Sequence, residues 1–204
     1  MKHLAKLAMG LCFVLSLQAC AGGAALKRKT GPKYEAETRS WYQAIQDLGG
    51  DGMWIVVRGY HSGDDVIAVA TNSPLSHATI LDHSQLEVIE AVGEGVISKE
   101  LEVLLRESHR VLLIRPDEWT KSLGVTAVQQ ARSKLGAGYD FLGIVGLPNE
   151  ERFYCSELAL WSMGITVDKK GIKNIIHPRH MPLYGDVLFD SGSRDGIPDF
   201  PAKP

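Results

Sequence analysis

The hydrophobic positions of the chain follow two different periods, and the change of period divides it into segments. Between residues 34 and 48 the apolar side chains recur at helical spacing, and Gly49-Gly50 ends the pattern, so we expect an amphipathic helix. From residue 53 onwards the period becomes two, which is typical of strands, and turn residues separate the segments. The predicted strands are residues 53–58, 66–70, 77–81, 86–91 and 110–115.

The second half of the chain is predicted to be mainly helical. Ser98 to Arg106 should form a short helix with Ser98 as its N-cap, and Pro116-Asp117 should open a longer helix that runs to about residue 135. A glycine-rich loop over residues 139–149 precedes a helix that begins near Cys155, and residues 187–189 fit one more strand. This order of elements predicts an α+β fold, with an antiparallel sheet followed by helices.

Composition and charge suit one globular domain. The 204 residues are 45% hydrophobic and 23% charged, which is ordinary for a folded domain of this length. The net charge is −2 and no basic stripe with interleaved aromatic residues is present, so nucleic acid is not an expected partner. No cofactor is expected, and the sequence leaves the oligomeric state open.

The N-terminus has the pattern of a bacterial export signal. Lys2 and Lys6 precede an apolar run over residues 7–17, which is too short to span a membrane. The following Leu17-Gln18-Ala19-Cys20 resembles a lipobox, which implies cleavage before Cys20 and a diacylglycerol on its sulfur. Ala21 follows, and by analogy with Gram-negative lipoproteins this favours the outer membrane, facing the periplasm. The alternatives are an ordinary signal peptide that is cut elsewhere and an uncleaved anchor.

This interpretation divides the chain into three parts. Residues 1–19 are the expected lipoprotein signal peptide, and residues 20–33 are a small, basic membrane tether. Residues 34–204 form the expected domain, with an N-terminal helix and a flexible C-terminal tail.

Cysteine usage then draws attention to Cys155. If Cys12 is removed with the signal and Cys20 is lipidated, one free thiol remains in an exported protein. Cys155 opens a predicted helix, where the helix dipole and free N–H groups favour the thiolate, which is the nucleophilic form. The alternative is a buried and inert cysteine, which is common in proteins.

Two predicted strands bring a histidine and a carboxylate together. If the hairpin over residues 77–91 is symmetric about Asp82–Gln85, then His77 lies opposite Glu90, Thr79 opposite Val88 and Leu81 opposite Leu86, each pair on one face. A carboxylate next to a histidine fixes its tautomer, and a histidine next to a helix-start cysteine takes its proton. The sequence therefore predicts a Cys155–His77–Glu90 triad, whereas the alternative is a solvent-facing His–Glu pair without a function.

Short blocks around these residues resemble a known family. Phe153-Tyr154-Cys155-Ser156-Glu157-Leu158 resembles the Phe-Asp-Cys-Ser-Gly-Leu block of NlpC/P60 cysteine peptidases, and Tyr139, with Gly143 four residues later, resembles the tyrosine motif upstream of it. Ser76-His77-Ala78 and Val88-Ile89-Glu90-Ala91 precede the cysteine, an order similar to the circularly permuted YiiX/YebB-like branch, relatives of the lecithin retinol acyltransferase group. The departures at Tyr154 and Glu157 bear on the substrate class rather than on the chemistry.

The resemblance covers about residues 50–190 and carries implications for fold and function. It implies a circularly permuted papain-like NlpC/P60 fold, in which the antiparallel sheet packs against a cysteine-bearing helix. It also implies a cysteine hydrolase that cleaves amide or ester bonds in a small peptide or acyl-lipid substrate, and the lipobox at Cys20 adds the expectation that this hydrolase is lipid-anchored. Cys155 would be the nucleophile, His77 the general base and then acid, and Glu90 the residue that orients His77. Tyr139 would line the substrate cleft, or else pack in the core.

Two other functions stay open at this point. One is an acyltransferase or lipase of the lecithin retinol acyltransferase type, which uses the same thioester intermediate. The other is a non-catalytic lipoprotein that binds lipid or peptide.

The remaining histidines are not expected to form a site. His61, His83 and His109 fall at turn or helix-end positions and should be solvated. His177 and His180 flank Pro178-Arg179, but no cysteine or carboxylate spacing supports zinc, so no metal is expected.

Overall fold

The computed structural model describes residues 26–145, 147, 149, 151–165 and 175–196. In chain order the helices and strands are α1 (Pro32–Leu48), β1 (Trp54–Gly59), α2 (Ser62–Thr71), β2 (His77–Asp82), β3 (Glu87–Val92), β4 (Gly95–Glu100), α3 (Leu101–Arg106), β5 (Ser108–Pro116), α4 (Lys121–Arg132), α5 (Cys155–Ser162) and β6 (Gly185–Asp190). Short 3-10 helices occur at Gly143–Val145, Pro178–Leu183 and Arg194–Gly196. The predicted signal peptide, Cys12 and Cys20 lie outside the described residues.

The fold is α+β, with one six-stranded antiparallel sheet in the order β4-β3-β2-β1-β5-β6. Helices α4 and α5 cover one face and contribute Val128, Ala131, Leu158 and Leu160 to its core. Helices α1 and α3 cover the other face. Every residue of β1 is buried because this strand lies in the middle of the sheet, between β2 and β5. No described helix combines the length and the apolar character needed to cross a membrane.

Most of the predicted elements are confirmed. The predicted helix over residues 34–48 is α1, and four of the predicted strands correspond to β1, β2, β3 and β5. Residues 187–189 lie within β6. The helix predicted from Pro116 is α4, which begins only at Lys121 because Oγ1 of Thr120 accepts a hydrogen bond from the Leu123 N–H and caps it.

The strand predicted over residues 66–70 is wrong, because these residues lie in helix α2. The Oδ2 of Asp64 accepts a hydrogen bond from the His61 N–H and closes the first turn, and Arg58 pairs with Asp65. The outward side of the helix carries Val66 and Val69, which are 66% and 59% exposed. Apolar side chains therefore lie on both sides of α2, and this hides the helical period from a sequence pattern.

The helix predicted over Ser98–Arg106 is also wrong in its first three residues. Residues 95–100 form β4, and the helix begins only at Leu101. The Ser98 hydroxyl donates a hydrogen bond of 2.7 Å to Oε2 of Glu87 on the neighbouring strand, and does not cap a helix. The side chains of residues 97–100 therefore alternate between the two faces of a strand. Strand β4 forms one edge of the sheet.

The β2–β3 hairpin forms where predicted, but its register differs by two residues. The observed pairs are Ile80–Ile89, Leu81–Val88 and Asp82–Glu87, so the predicted pairing of Leu81 with Leu86 is wrong. The turn is displaced because Oδ1 of Asp82 accepts hydrogen bonds from Gln85 N–H and the Ser84 hydroxyl, and Leu86 adopts a left-handed φ of 55°. A shift of two residues preserves the faces, so His77 and Glu90 still lie on one face, as diagonal neighbours.

Candidate active site

The first turn of α5 holds Cys155 in a fixed position next to the sheet. Tyr154 is the N-cap, and its N–H donates to Oε2 of Glu157 at 3.3 Å, as in a capping box. The Ser156 hydroxyl donates to the Ile176 carbonyl at 2.5 Å. Cys155 is the first helical residue, is 7% exposed and is a free thiol.

His77 is the first residue of β2, and the segment that precedes it is tightly held. The Ser76 N–H donates to the Val57 carbonyl at 2.8 Å, and the Ser76 hydroxyl donates to Oδ1 of Asp64 at 2.6 Å. The ladder between β2 and β3 runs only from Ile80 to Asp82, so the start of β2 is open on that side. The sulfur of Cys155 lies at this opening, where the Ala78 N–H donates to it.

Glu90 contacts the imidazole from β3. The Nε2 of His77 lies 2.8 Å from Oε2 of Glu90, whose side chain is only 1% exposed. The Cys155 thiol makes a second hydrogen bond to His77. Since Glu90 occupies Nε2, the other ring nitrogen, Nδ1, is left for the sulfur. The structure thus brings together the three residues that the sequence predicted as a triad.

The electrostatics of this cluster favour a thiolate–imidazolium pair. Burial raises the pKa of the Cys155 thiol, but the hydrogen bond and charge of His77, with the N–H groups of Ala78 and Ser156, outweigh burial and hold that pKa below its ordinary value. Burial lowers the pKa of His77, but its bonds to Cys155 and Glu90 raise it well above the usual range. The two pKa changes belong to the coupled pair rather than to either residue alone.

Glu90 has a second partner that the sequence did not indicate. The Nζ of Lys99, on β4, lies 2.8 Å from Oε1 of Glu90 in an ion pair whose geometry is not that of a directed hydrogen bond. Burial raises the pKa of Glu90, but His77 and Lys99 together lower it to about 2. A helix over residues 98–106 would have placed Lys99 elsewhere. The dipeptide Gly93-Glu94 between two apolar segments is a hairpin signal that could have revealed β4.

Tyr139 lies close to the thiol through its backbone. It bridges to Phe153, two residues before Cys155, and the Asp140 N–H donates to the Phe153 carbonyl at 3.0 Å. Burial and then the charge of Cys155 raise the pKa of Tyr139, so its hydroxyl stays protonated. Its ring packs against Phe141 with centroids 4.7 Å apart and is partly buried at the edge of the core.

Asp140 holds the loop that follows Tyr139. Its carboxylate accepts hydrogen bonds from the N–H groups of Gly143, at 2.8 Å, and Asn149, at 2.9 Å. The loop exposes three apolar side chains to solvent, namely Phe141, Leu142 and Leu147.

Of the three histidines that were predicted to be solvated, His109 is buried, His83 is partly buried and His61 is exposed. His109 is fully buried, with Nδ1 at 3.1 Å from the Tyr60 hydroxyl, and Nε2 of His83 lies 3.0 Å from the Gln46 carbonyl. His61 is exposed as predicted. Nε2 of His180 accepts a hydrogen bond from Arg179 at 3.0 Å, and burial and this cation lower the pKa of His180. Within the described ranges, no group of three or more His, Cys, Asp or Glu side chains could hold a metal ion.

A separate cleft of about 460 Å³ lies at the turn end of the β2–β3 hairpin. Carboxylates and one arginine line it, including Asp51, Asp82, Glu87 and Arg132. Its lining residues include neither a cysteine nor a histidine, so its chemistry differs from that of the thiol cluster.

Comparison with known proteins gives limited information. No family model matches the chain, and no curated protein matches it. Among solved structures it is similar to the crystal structure of the metalloprotein YiiX from Escherichia coli O157:H7, DUF1105, at 24% identity and a TM-score of 0.48. The similarity covers 56% of this chain and 64% of YiiX, so this chain spans less than two thirds of that protein. YiiX is thus a structural neighbour, and a similarity of this degree supports no argument about activity.

Proposed function

We propose that the chain is a cysteine hydrolase of the permuted NlpC/P60 type, acting on an amide or ester carbonyl. The observation that carries this proposal is the continuous line of contacts from buried Glu90 through His77 to Cys155. A carboxylate, an imidazole and a helix-start thiol in hydrogen-bonded sequence are the parts that activate a sulfur nucleophile. A buried and inert cysteine needs neither of the other two.

The reaction would proceed in two halves. The Cys155 thiolate attacks the carbonyl carbon and forms a C–S bond, while the Cys155 N–H helps to hold the oxyanion. The tetrahedral intermediate then expels the leaving group, which takes the proton of the His77 imidazolium, and a thioester remains on the sulfur. His77 next removes a proton from water, which attacks the thioester and releases the acid. The thiolate–imidazolium pair is thereby restored.

The chain's own surface favours an acyl-chain substrate as the second candidate. Phe141, Leu142 and Leu147 are 58%, 60% and 64% exposed, on the loop that follows Tyr139. Exposed apolar side chains close to a nucleophile suit a substrate with a hydrocarbon part better than a short polar peptide. With an acceptor other than water, the same thioester would give acyl transfer of the lecithin retinol acyltransferase type.

The test is covalent trapping on Cys155. The purified chain is incubated with envelope extract and acid-quenched, and the peptide that contains Cys155 is analysed by mass spectrometry. We expect an added acyl mass on that peptide, whose identity gives the substrate class. The Cys155→Ala variant is the matched control and should carry no adduct there. A chain that never acquires an adduct, and whose Cys155 alkylates like a free thiol of pKa ~8.5, would be a binding protein instead.

We further propose that Cys20 anchors the chain to a membrane. The support is the lipobox-like Leu17-Gln18-Ala19-Cys20 after a charged and apolar segment. Cells that express the chain and receive labelled palmitate should incorporate label, whereas Cys20→Ser should lose the label and accumulate the uncleaved precursor. Label that persists in Cys20→Ser would contradict the anchor without bearing on the hydrolase proposal.

A further inference from the structure

A cation and a second carboxylate continue the line of contacts away from the thiol. The Nζ of Lys99 lies 2.8 Å from Oε1 of Glu90 and 3.4 Å from Oε2 of Glu107. The side chains of Lys99 and Glu107 are about one quarter exposed, whereas Glu90 is buried. Along the line of contacts the order is therefore thiol, imidazole, carboxylate, ammonium and carboxylate, and the last two members are the most exposed.

We infer that Lys99 is a positioning residue, which keeps Glu90 ionised in both protonation states of His77 and sets the pH window in which the Cys155 thiolate pairs with the imidazolium. This inference rests on the proposed function, because it supposes that His77 loses and regains a proton in each turnover.

The two oxygens of Glu90 explain why a second cation is needed. Oε2 faces Nε2 of His77, and Oε1 faces Lys99. When His77 gives its proton to a leaving group it becomes neutral, and a buried carboxylate without a counter-ion is strongly disfavoured. Without Lys99, Glu90 would then hold the imidazolium proton more tightly. With Lys99 in place, Glu90 stays ionised and the proton of His77 remains available.

The sheet fixes Lys99 in this position. In the β3–β4 ladder Lys99 pairs with Val88, and Glu90 pairs with Ile97, so Lys99 and Glu90 are diagonal neighbours on one face. Burial lowers the pKa of Lys99, but Glu90 and then Glu107 outweigh burial and keep the ammonium charged. Because the contact pairs two opposite charges at 2.8 Å, another cation of similar reach should keep Glu90 ionised.

The other charged and titratable groups around the cluster are few. Glu107 also faces Nε2 of His61 at 3.4 Å, and His61 is 66% exposed. Tyr139 and Tyr154 border the thiol, and burial raises the pKa of both, so both hydroxyls stay neutral. Asp140 and Glu157 lie close to these two tyrosines. Lys99 is thus the cation that borders Glu90 in addition to His77.

The experiment measures the rate of Cys155 alkylation by iodoacetamide from pH 4 to 10, in the full chain, by mass spectrometry of the Cys155 peptide. Removing a cation raises the pKa of every neighbouring acid. Lys99→Met should therefore move both the acidic and the basic limb of the rate profile to higher pH, by roughly half a pH unit to one pH unit. Glu107→Gln removes an anion and should move both limbs to lower pH, by a smaller amount than Lys99→Met moves them to higher pH. Lys99→Arg should restore the wild-type limbs.

A distant cation supplies the matched charge control. Arg115, on β5, is 45% exposed and pairs with Asp186 on β6, so Arg115→Gln removes the same charge far from the thiol and should leave both limbs in place. A purely structural Lys99 would alter folding or the labelled fraction without moving the limbs, and unmoved limbs in folded Lys99→Met overturn the inference. If Lys99→Met does not fold, Glu107→Gln decides, because an absent downward shift overturns it equally. A wild-type profile that does not depend on His77 would instead refute the proposed function.

Discussion

The two ends of the β2–β3 hairpin each carry a buried carboxylate beside a cation. At the turn end, Asp82 is 2% exposed and lies 2.6 Å from Arg132, and at the open end Glu90 is 1% exposed and lies 2.8 Å from Lys99. The two carboxylates differ in their remaining partners. Asp82 accepts hydrogen bonds from a serine hydroxyl and a backbone N–H, which do not titrate in the working pH range. Glu90 faces an imidazole that leads to a thiol.

This difference separates an ion pair that serves the fold from one that would serve the proposed reaction. The Asp82 site compensates its charge locally and closes a turn, so nothing in it changes when a proton moves elsewhere. The Glu90 site has a partner, the His77 imidazole, whose charge changes whenever it gives up its proton. Burial and a short ion pair alone would therefore not single out the candidate site, because both ends of the hairpin have them.

The largest expected effect comes from removing His77, compared with removing Arg132. His77→Ala deletes the base, and Cys155 alkylation at pH 7 should fall about 100-fold, at the lower end of what general base catalysis contributes. Arg132→Met also deletes a partner of a buried carboxylate, but it should leave the alkylation rate within twofold. Rates are measured on the Cys155 peptide at several reagent concentrations. Equal losses of alkylation rate in His77→Ala and Arg132→Met would mean that the two ends of the hairpin do not differ in their effect on Cys155.

A smaller effect is expected from neutralising each carboxylate. Glu90→Gln removes the charge that stabilises the imidazolium, so the high-pH limb of the alkylation profile should move down by about one unit. Asp82→Asn is the control and should move neither limb. A profile that is unchanged in Glu90→Gln would remove Glu90 from the site.

The Glu90→Gln variant also gives a prediction for acid unfolding, whose direction follows from the lowered pKa of Glu90. The pKa of Glu90 is lowered from 4.5 to about 2 in the folded protein, so its contribution to stability is present above pH 4.5 and is lost as the pH falls towards 2. Wild type should therefore lose free energy of unfolding over this interval more steeply than Glu90→Gln does. Urea titrations at pH 5, 4, 3 and 2 measure the two slopes. Parallel slopes would contradict the lowered pKa.

The smallest expected effect lies at the turn end, at Glu87. Its side chain is 34% exposed and shares Arg132 with Asp82. Glu87→Gln should cost at most about 1 kcal/mol of unfolding free energy, as is usual for an exposed ion pair, and should leave alkylation unaltered. The measurements are the midpoint of urea unfolding and the rate of Cys155 alkylation at pH 7. A change in labelling would show that the turn end communicates with the thiol.

The sequence predicted which residues come together better than the details that place them. Period-two patterning fixed which side chains share a face, and a two-residue error in register left His77 and Glu90 on the same face. The register itself depended on the side chain of Asp82 and on the left-handed φ of Leu86, which the pattern of apolar residues does not encode.

Two errors of the sequence analysis have identifiable physical causes. Helix α2 carries exposed valines on its outer side, so its apolar residues gave no helical stripe, and their β-branched character favoured a strand. Ser98 was expected to begin a helix, whereas its hydroxyl bonds across to Glu87. The second error hid Lys99, because its contact with Glu90 exists only when β4 pairs with β3.

The buried Arg194 has a consequence for the order in which the molecule assembles. Its guanidinium donates to the carbonyls of Tyr34 and Leu105 and to the Thr38 hydroxyl, and its side chain is 2% exposed. Helix α1 is thus completed by a residue 160 positions further along the chain. Closing so long a loop is entropically costly and slow, so α1 should dock late in folding. Until then the apolar surface around Leu105 of helix α3 should stay uncovered, so we expect the unassembled chain to bind chaperones that hold exposed apolar segments.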